Sequence, residues 1–304
     1  MNNPLVSIIS PSYNQAQFIE ETILSIKNQK YQNIEHIIVD GGSNDGTLDI
    51  IKKYENTYNM KWISEKDDGM YDAISKGLKL AKGEILAYLN TDDLYFDWSI
   101  QVVVDKYNLL GSDNFFVYGD TLFYSEDQNL YNPSINAPRT ARNILSGYFG
   151  LSQPSVFWTK KIYSHIGGFD SNLKFAGDLE YWIKGAKNNF QFIKINEFLC
   201  IDRLHSLQKR NTGKNEIKNE INYLKEKFKI HQKDFYFRIK KILIEKYSKA
   251  KLCLILSFDS FDTIDWKLSS EHFKKNYKLL TSMKVFLSFV PILARKYKFI
   301  LKKI

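Results

Sequence analysis

Between Leu5 and Leu89 the chain alternates short β-branched runs with stretches of helical periodicity, and each run ends in a polar cluster. Leu5–Ser10 (LVSIIS) reads as a buried strand closed by Pro11, and Phe18–Gln29 then places Ile19, Ile23 and Ile26 on one helical face. Ile34–Asp40 (IEHIIVD) is a second strand ending in the turn GGSND, and Thr47–Tyr54 is a short helix. Lys61–Ser64 is a third strand, Asp72–Ala81 a helix, and Glu84–Leu89 (EILAYL) a fourth strand stopped by Asn90-Thr91-Asp92-Asp93. Alternation at this spacing predicts an α/β chain with a doubly wound, mostly parallel sheet and right-handed crossovers. Ligands of such sheets bind beyond the carboxyl ends of the strands. Those ends carry Ser12-Tyr13-Asn14, Asp40-Gly41-Gly42-Ser43, Glu65 to Asp68, and Asp92-Asp93, so the polar clusters of the first half fall on one rim.

Further along, short strands (Phe115–Gly119, Ser155–Trp158, Gln191–Ile195, Leu199–Arg203) mix with helices near Pro138–Ser146 and over Asp178–Lys187. From Asn211 onward the pattern is helical and Lys-rich, which divides the chain into residues 1–210 and a basic region 211–304. Charge marks the same division. Residues 209–304 carry 24 Lys/Arg against 9 Asp/Glu, whereas 1–208 carry 19 against 25, within an overall net charge of +9. An acidic front and a basic back predict a binding or catalytic domain followed by a tail that meets an anionic surface. With 44% hydrophobic residues the chain can bury a core, so global disorder is excluded. Cys200 and Cys253 are too few for a disulfide framework or a four-thiolate zinc site, and both sit in apolar runs that read as buried thiols. No secretory leader and no membrane-spanning run is visible, which predicts a cytoplasmic chain, soluble or peripheral on a membrane.

Four constellations have residue types suited to chemistry. Asp92-Asp93 puts adjacent carboxylates on a strand-end loop, where a hard divalent cation or hydrogen bonds must offset their repulsion. The plainer reading is a solvated turn or a cap for the helix over Trp98–Leu109. Asp40-Gly41-Gly42-Ser43-Asn44-Asp45-Gly46-Thr47 lets backbone approach a ligand at a helix N-terminus, and equally suits a tight turn capped by Ser43 or Asp45. It is neither a Walker loop nor GxGxxG. Asp178, opening a helix, is either a cap or a general base. His205, in a strand-end loop just before the charge boundary, is either a surface histidine or a third metal or phosphate contact.

Five ordered segments resemble a family 2 glycosyltransferase with the GT-A fold: VSIISPSYNQAQFIEETILSI, IEHIIVDGGSNDGT, EKDDGMYDAISKGLKLAKGEILAYLNTDD, LSQPSVFW and GGFDSNLKFAGDLEYWIK. The resemblance spans roughly residues 4 to 210. It implies that Pro11, Ser12, Tyr13, Asp40 and Ser43 hold the nucleotide of a nucleotide-sugar donor, commonly UDP-linked, with Asp67 also facing the base and Lys76 near the diphosphate. Many relatives have Asn where this chain has Ser75. Asn90-Thr91-Asp92-Asp93 corresponds to the D-x-D-type element, implying Asp92 at the ribose and Asp93 on a bridging Mn²⁺ or Mg²⁺. Gln153 falls on the acceptor side. Asp178 matches the catalytic base, with Glu180 as rival.

The resemblance further implies an inverting, metal-dependent transfer that builds a surface polysaccharide such as an O-antigen or capsule. The acceptor would be a glycan or a polyprenyl-diphosphate-linked glycan. A non-catalytic membrane-associated scaffold is the alternative. Lys284–Ile304 plots as a basic amphipathic helix, with Arg295, Lys298 and Lys302 on one face and Phe289, Leu293 and Ile300 on the other. Such a helix either lies on an anionic membrane or packs on its own domain. No nucleic-acid-binding motif accompanies it.

Overall fold

The computed structural model describes residues 2–230, apart from 137, 138, 148, 207, 209, 210 and 212. The helix expected over Lys284–Ile304 and Cys253 lie outside the described residues, as does most of the basic region.

The first half follows the alternation. Strands β1 (Val6–Ser12), β2 (Ile34–Asp40), β3 (Met60–Ser64) and β4 (Ile85–Tyr88) are parallel in the order β3-β2-β1-β4. Helices α1 (Ile19–Lys27), α2 (Thr47–Tyr54) and α3 (Met70–Leu80) connect them. Every residue of β1 and β2 is buried, as strands covered on both faces must be. Strand β1 continues through Pro11 to Ser12 rather than stopping before the proline. Its pairing with β4 ends at Ile9, so Pro11 lies where only β2 remains alongside.

The second half departs from an all-parallel sheet. Beyond β4, β8 (Val156–Thr159) is antiparallel to both β4 and β6 (Phe115–Ser125), and β6 is parallel to β9 (Gln191–Leu204). Two short strands absent from the sequence reading, β5 (Leu94–Tyr95) and β7 (Leu130–Ser134), pair antiparallel with β9 and β6. The two runs expected at 191–195 and 199–203 are one strand. The ladder shifts register at Gly119–Asp120, where a Cβ on Gly119 would meet Leu199 at 2.4 Å. The bulge absorbs the polar pair Asn196-Glu197 that suggested a break.

One face of the sheet carries α3, α5 (Ala141–Leu145), α6 (Lys160–Ile166) and α7 (Gly177–Lys187) over Leu86, Tyr88, Phe116 and Trp158. The other carries α4 (Ser99–Leu110) over Ile8, Ala87, Val117 and Phe157, with α1 and α2 beside it. Helix α8 (Lys214–Lys227) is polar for most of its length, yet buries Leu224 and leads to buried Ile230 against the α7 layer. No helix among the described residues is long and apolar enough to cross a membrane.

Candidate active site

At the ends of β1 and β2 two loops are zipped together. Asn14 takes a left-handed conformation (φ 52°), its amide donates to Ser43 Oγ (2.7 Å), and its side-chain oxygen accepts from the Asn44 amide (3.0 Å). The Gln15 amide donates to Thr47 Oγ1 (2.8 Å), leaving Tyr13 61% exposed at the rim. Asp40 is fully buried, and its Oδ2 accepts from the Gly42 and Ser43 amides (3.0 and 2.9 Å) and from Ser64 Oγ (2.7 Å). Its Oδ1 accepts from Ser43 Oγ. Both oxygens thus shape their own loop. Asp67 packs against Gly41, where a Cβ would fall 2.7 Å from its Oδ2, so the missing side chain lets the carboxylate close on the turn. Lys76 reaches the same rim but is held by Glu65 (2.9 Å) and Asp72 (3.2 Å).

Beyond β4, Asp92 and Asp93 point in different directions. Asp93 is buried, its Oδ1 accepting from the Arg203 amide (3.1 Å) and its Oδ2 from Asn90 (3.4 Å). Asp92 is only partly buried and places Oδ2 3.1 Å from His205 Nε2. The carboxylate within hydrogen-bond distance of His205 is thus that of Asp92 rather than Asp93. Asp93 instead ties the end of β4 to the end of β9, two residues before His205. The His205 ring packs on Phe18 (4.3 Å between centroids), and the Arg203 guanidinium covers the same ring while pairing with Glu21 (2.6 Å). Gln153 spans the rim, donating to the Tyr88 carbonyl (2.8 Å) and accepting from Asn90 (3.3 Å).

Asp178 lies in the first turn of α7, half-buried against Tyr71 of α3. Desolvation by the surrounding protein pushes its carboxyl up from 3.8 to about 6, outweighing the bond from the Leu179 amide that favours the charged form. Glu180 is buried and faces Lys227 (3.3 Å) and Lys184 (3.7 Å), so its charge is matched inside the protein. Of the two rivals, Asp178 has the exposure and the raised pKa that suit a base.

A twisted α/β sheet with carboxylates and a histidine gathered at its strand ends matches a known family. The profile of glycosyl transferase family 2 covers residues 7–167, more than half of the chain. This chain belongs to glycosyl transferase family 2. It is 30% identical over 226 residues to an uncharacterised glycosyltransferase of Rickettsia typhi, covering 71% of this chain and 69% of the relative. It is 41% identical over 92 residues to TuaG of Bacillus subtilis, named for teichuronic acid biosynthesis, covering 30% of this chain and 36% of TuaG. The fold is shared with S. aureus TarS 1–349 in complex with UDP-GlcNAc (TM-score 0.57, 16% identity, 90% of this chain and 89% of that one). It is also shared with a mannosyltransferase from Pyrobaculum calidifontis in complex with GDP-Man and Mn²⁺ (TM-score 0.57, 17% identity, 97% and 81%).

Within this glycosyltransferase the fold also brings up residues that the sequence reading left unassigned. Tyr71 is the second residue of α3, just ahead of the helix start expected at Asp72. Phe18, Arg203 and Glu21 form the shell around His205, and their separation of more than 180 residues hid the grouping. Glu220 sits in a Lys-rich helix with no local signal at all.

Proposed function

We propose that this transferase moves a sugar, with inversion, from a nucleoside-diphosphate donor to a hydroxyl of a glycan or lipid-linked glycan during surface-polysaccharide assembly. The observation that carries the reading is the family match, together with Asp178 in the first turn of α7 beside Tyr71 and close to Tyr88 of β4, its carboxyl pushed up by burial to about 6. A base of that strength is ionised at neutral pH and still accepts a proton as one is shed by an attacking hydroxyl.

The donor side follows from the zipped loops. Exposed Tyr13 offers a ring for the base to stack on, and Ser12, Asp67 and the loop shaped by Asp40 and Ser43 line the nucleoside. Lys76 meets the diphosphate by exchanging its present partners Glu65 and Asp72 for phosphate oxygens. Gln153, beside Tyr88, borders the acceptor.

Asp92 and His205 suit a divalent cation of the Mn²⁺ type. A carboxylate oxygen and an imidazole nitrogen form its ordinary donor set, and their 3.1 Å separation suits neighbouring corners of an octahedron with bonds of about 2.1 Å. No group of three or more His, Cys, Asp or Glu is gathered as a metal cage among the described residues. Two protein ligands plus diphosphate oxygens is the usual arrangement for such an ion. When bound it supplies positive charge to the leaving diphosphate. Asp93 and the Phe18–Arg203 shell orient His205 for that task. The division at residue 210 and the approach of the basic region 211–304 to an anionic membrane belong to the same proposal, placing the enzyme on the cytoplasmic face.

The test is nucleoside diphosphate release from a panel of UDP-, GDP- and dTDP-sugars, with Mn²⁺ or with chelator. Metal-dependent release from one donor that disappears in Asp178→Asn, with donor binding retained, is the expected result. Neither release nor donor-induced thermal stabilisation across the panel would overturn the reading in favour of a non-catalytic scaffold.

A further inference from the structure

Helix α8 lies beyond the segment matched by the family profile, yet one of its carboxylates is built into the approach to Asp178. Glu220 Oε1 accepts from the Lys174 amide (2.8 Å), and its Oε2 accepts from the Phe175 and Ala176 amides (2.9 and 2.8 Å). Three consecutive backbone N–H groups thus converge on one anion, and bonds to a charged acceptor are among the stronger ones a protein makes. Ala176 is the N-cap of α7, so Glu220 fixes the N-cap amide and the two before it, the segment leading into the helix, while the first-turn amides of Asp178 and Leu179 go to Tyr71 and to the Asp178 carboxylate.

The opposite side of the same three residues is held by α3. The Tyr71 hydroxyl donates to the Phe175 carbonyl (2.9 Å) and receives the Asp178 amide (3.3 Å). Tyr71 reaches this place because residue 177 is glycine: a Cβ there would sit 2.7 Å from the ring. Phe175 is enclosed in turn by Gly213, where a Cβ would sit 2.2 Å from its ring. Lys227, about two turns beyond Glu220 on α8, adds ion pairs to Glu180 (3.3 Å) and Asp170 (3.6 Å).

We propose that Glu220 is a positioning residue, a carboxylate clamp from α8 that fixes the 174–176 segment and thereby aims Asp178 at the acceptor. The proposal rests on Asp178 being the general base. It ties α8, the first helix of the region beyond residue 210, to the catalytic domain. The groups facing Asp178 are Tyr71 from α3, Tyr88 from β4 and Glu220 from α8. Of these, Glu220 adds negative charge that helps to hold the Asp178 carboxyl up.

The experiment compares Glu220→Gln and Glu220→Ala with wild type, Asp178→Asn and the exposed control Glu216→Gln, all as full chains. The readouts are nucleoside diphosphate release from UDP-GlcNAc and GDP-Man with Mn²⁺, water serving as acceptor, and carboxyl ¹³C NMR titration of Asp178. Glu220→Ala is expected to lower kcat about 10- to 100-fold, as misplacement of a catalytic group does, with donor KM unchanged. Glu220→Gln retains part of the amide binding and recovers part of that loss. Both variants move the Asp178 titration to lower pH, because a neighbouring negative charge is gone. Amides 174–176 lose hydrogen-exchange protection in Glu220→Ala and keep it in Glu216→Gln.

An Asp178 titration at the wild-type pH in both Glu220 variants would overturn the proposal, whether or not either donor is turned over. So would a loss of kcat that disappears once rates are normalised to the folded fraction measured by circular dichroism, because partial unfolding lowers apparent kcat and leaves KM unchanged. Failure of the underlying reading is distinguishable, since Asp178→Asn would then remain active.

Discussion

Replacing Asp178 by Asn is expected to abolish transfer and, at the same time, to stabilise the fold. Burial pushes the carboxyl up to about 6 in the folded chain from its ordinary 3.8. At about 1.4 kcal/mol per pH unit, holding it ionised in this setting costs about 3 kcal/mol. The cost is present in full above pH 6, where the group is charged both folded and unfolded. It shrinks between pH 6 and 4, where only the unfolded chain carries the charge, and vanishes below that, where both are protonated. Asparagine keeps an oxygen for the Leu179 amide and removes the charge. Because the side chain retains some contact with water, a net gain of about 1–3 kcal/mol at pH 8 is expected, or about 2–8 °C in Tm. Thermal or urea unfolding of the two proteins at pH 8, 6 and 4.5 measures this directly, and the advantage of the variant should fade as pH falls. A variant less stable than wild type at pH 8, or an advantage independent of pH, would refute the reasoning. Loss of activity with gain of stability is the expected mark of a catalytic group held in a setting that disfavours its charge.

The inward turn of Asp93 gives a contrast: Asp92→Asn should reduce Mn²⁺-dependent release about 100-fold or more, and Asp93→Asn only about tenfold, by loosening His205. The reverse order would put the cation on Asp93. Gly177→Ala should displace the Tyr71 ring, destabilise by about 1–3 kcal/mol through overpacking, and lower kcat more than it raises donor KM; an unchanged kcat would separate Tyr71 from the base. The acidic limb of the kcat profile should fall near pH 6, with activity lost as Asp178 takes up its proton; a profile flat from pH 7 to 5 would speak against it. The full chain should sediment with vesicles containing phosphatidylglycerol and be released by high salt, whereas indifference to lipid charge would mean that the basic region packs on protein.

The first half of the fold was legible because its signals are local. Ile34–Asp40 and Thr47–Tyr54 match the expected bounds, since a β-branched run and a helical stripe each declare themselves within a few residues. Strand ends were legible less exactly, β1 running past its expected end at Ser10 to Ser12, but the placement of Ser12, Asp40, Asp67 and Asp92 beyond the strand ends follows from strand–helix alternation. The antiparallel β8 and the short β5 and β7 were not, because pairing direction depends on partners far along the chain. The single strand over Gln191–Leu204 was hidden by Asn196-Glu197, polar residues that a bulge accommodates.

Residue types and their order were thus enough to indicate a nucleotide-sugar fold, its strand-end rim and the candidates for its chemistry. Orientation was not contained in them. Two neighbouring aspartates, Asp92 and Asp93, carry the same local signal, and only the arrival of Arg203 and His205 from more than 100 residues away turns one inward and leaves the other facing the imidazole. Asp178 and Glu180 likewise share one helical turn, yet the lysines of α7 and α8 pair with Glu180 and leave Asp178 beside Tyr71. The reason is physical: a carboxylate's role depends on its desolvation and its partners, and both are properties of the packed chain rather than of its sequence neighbours.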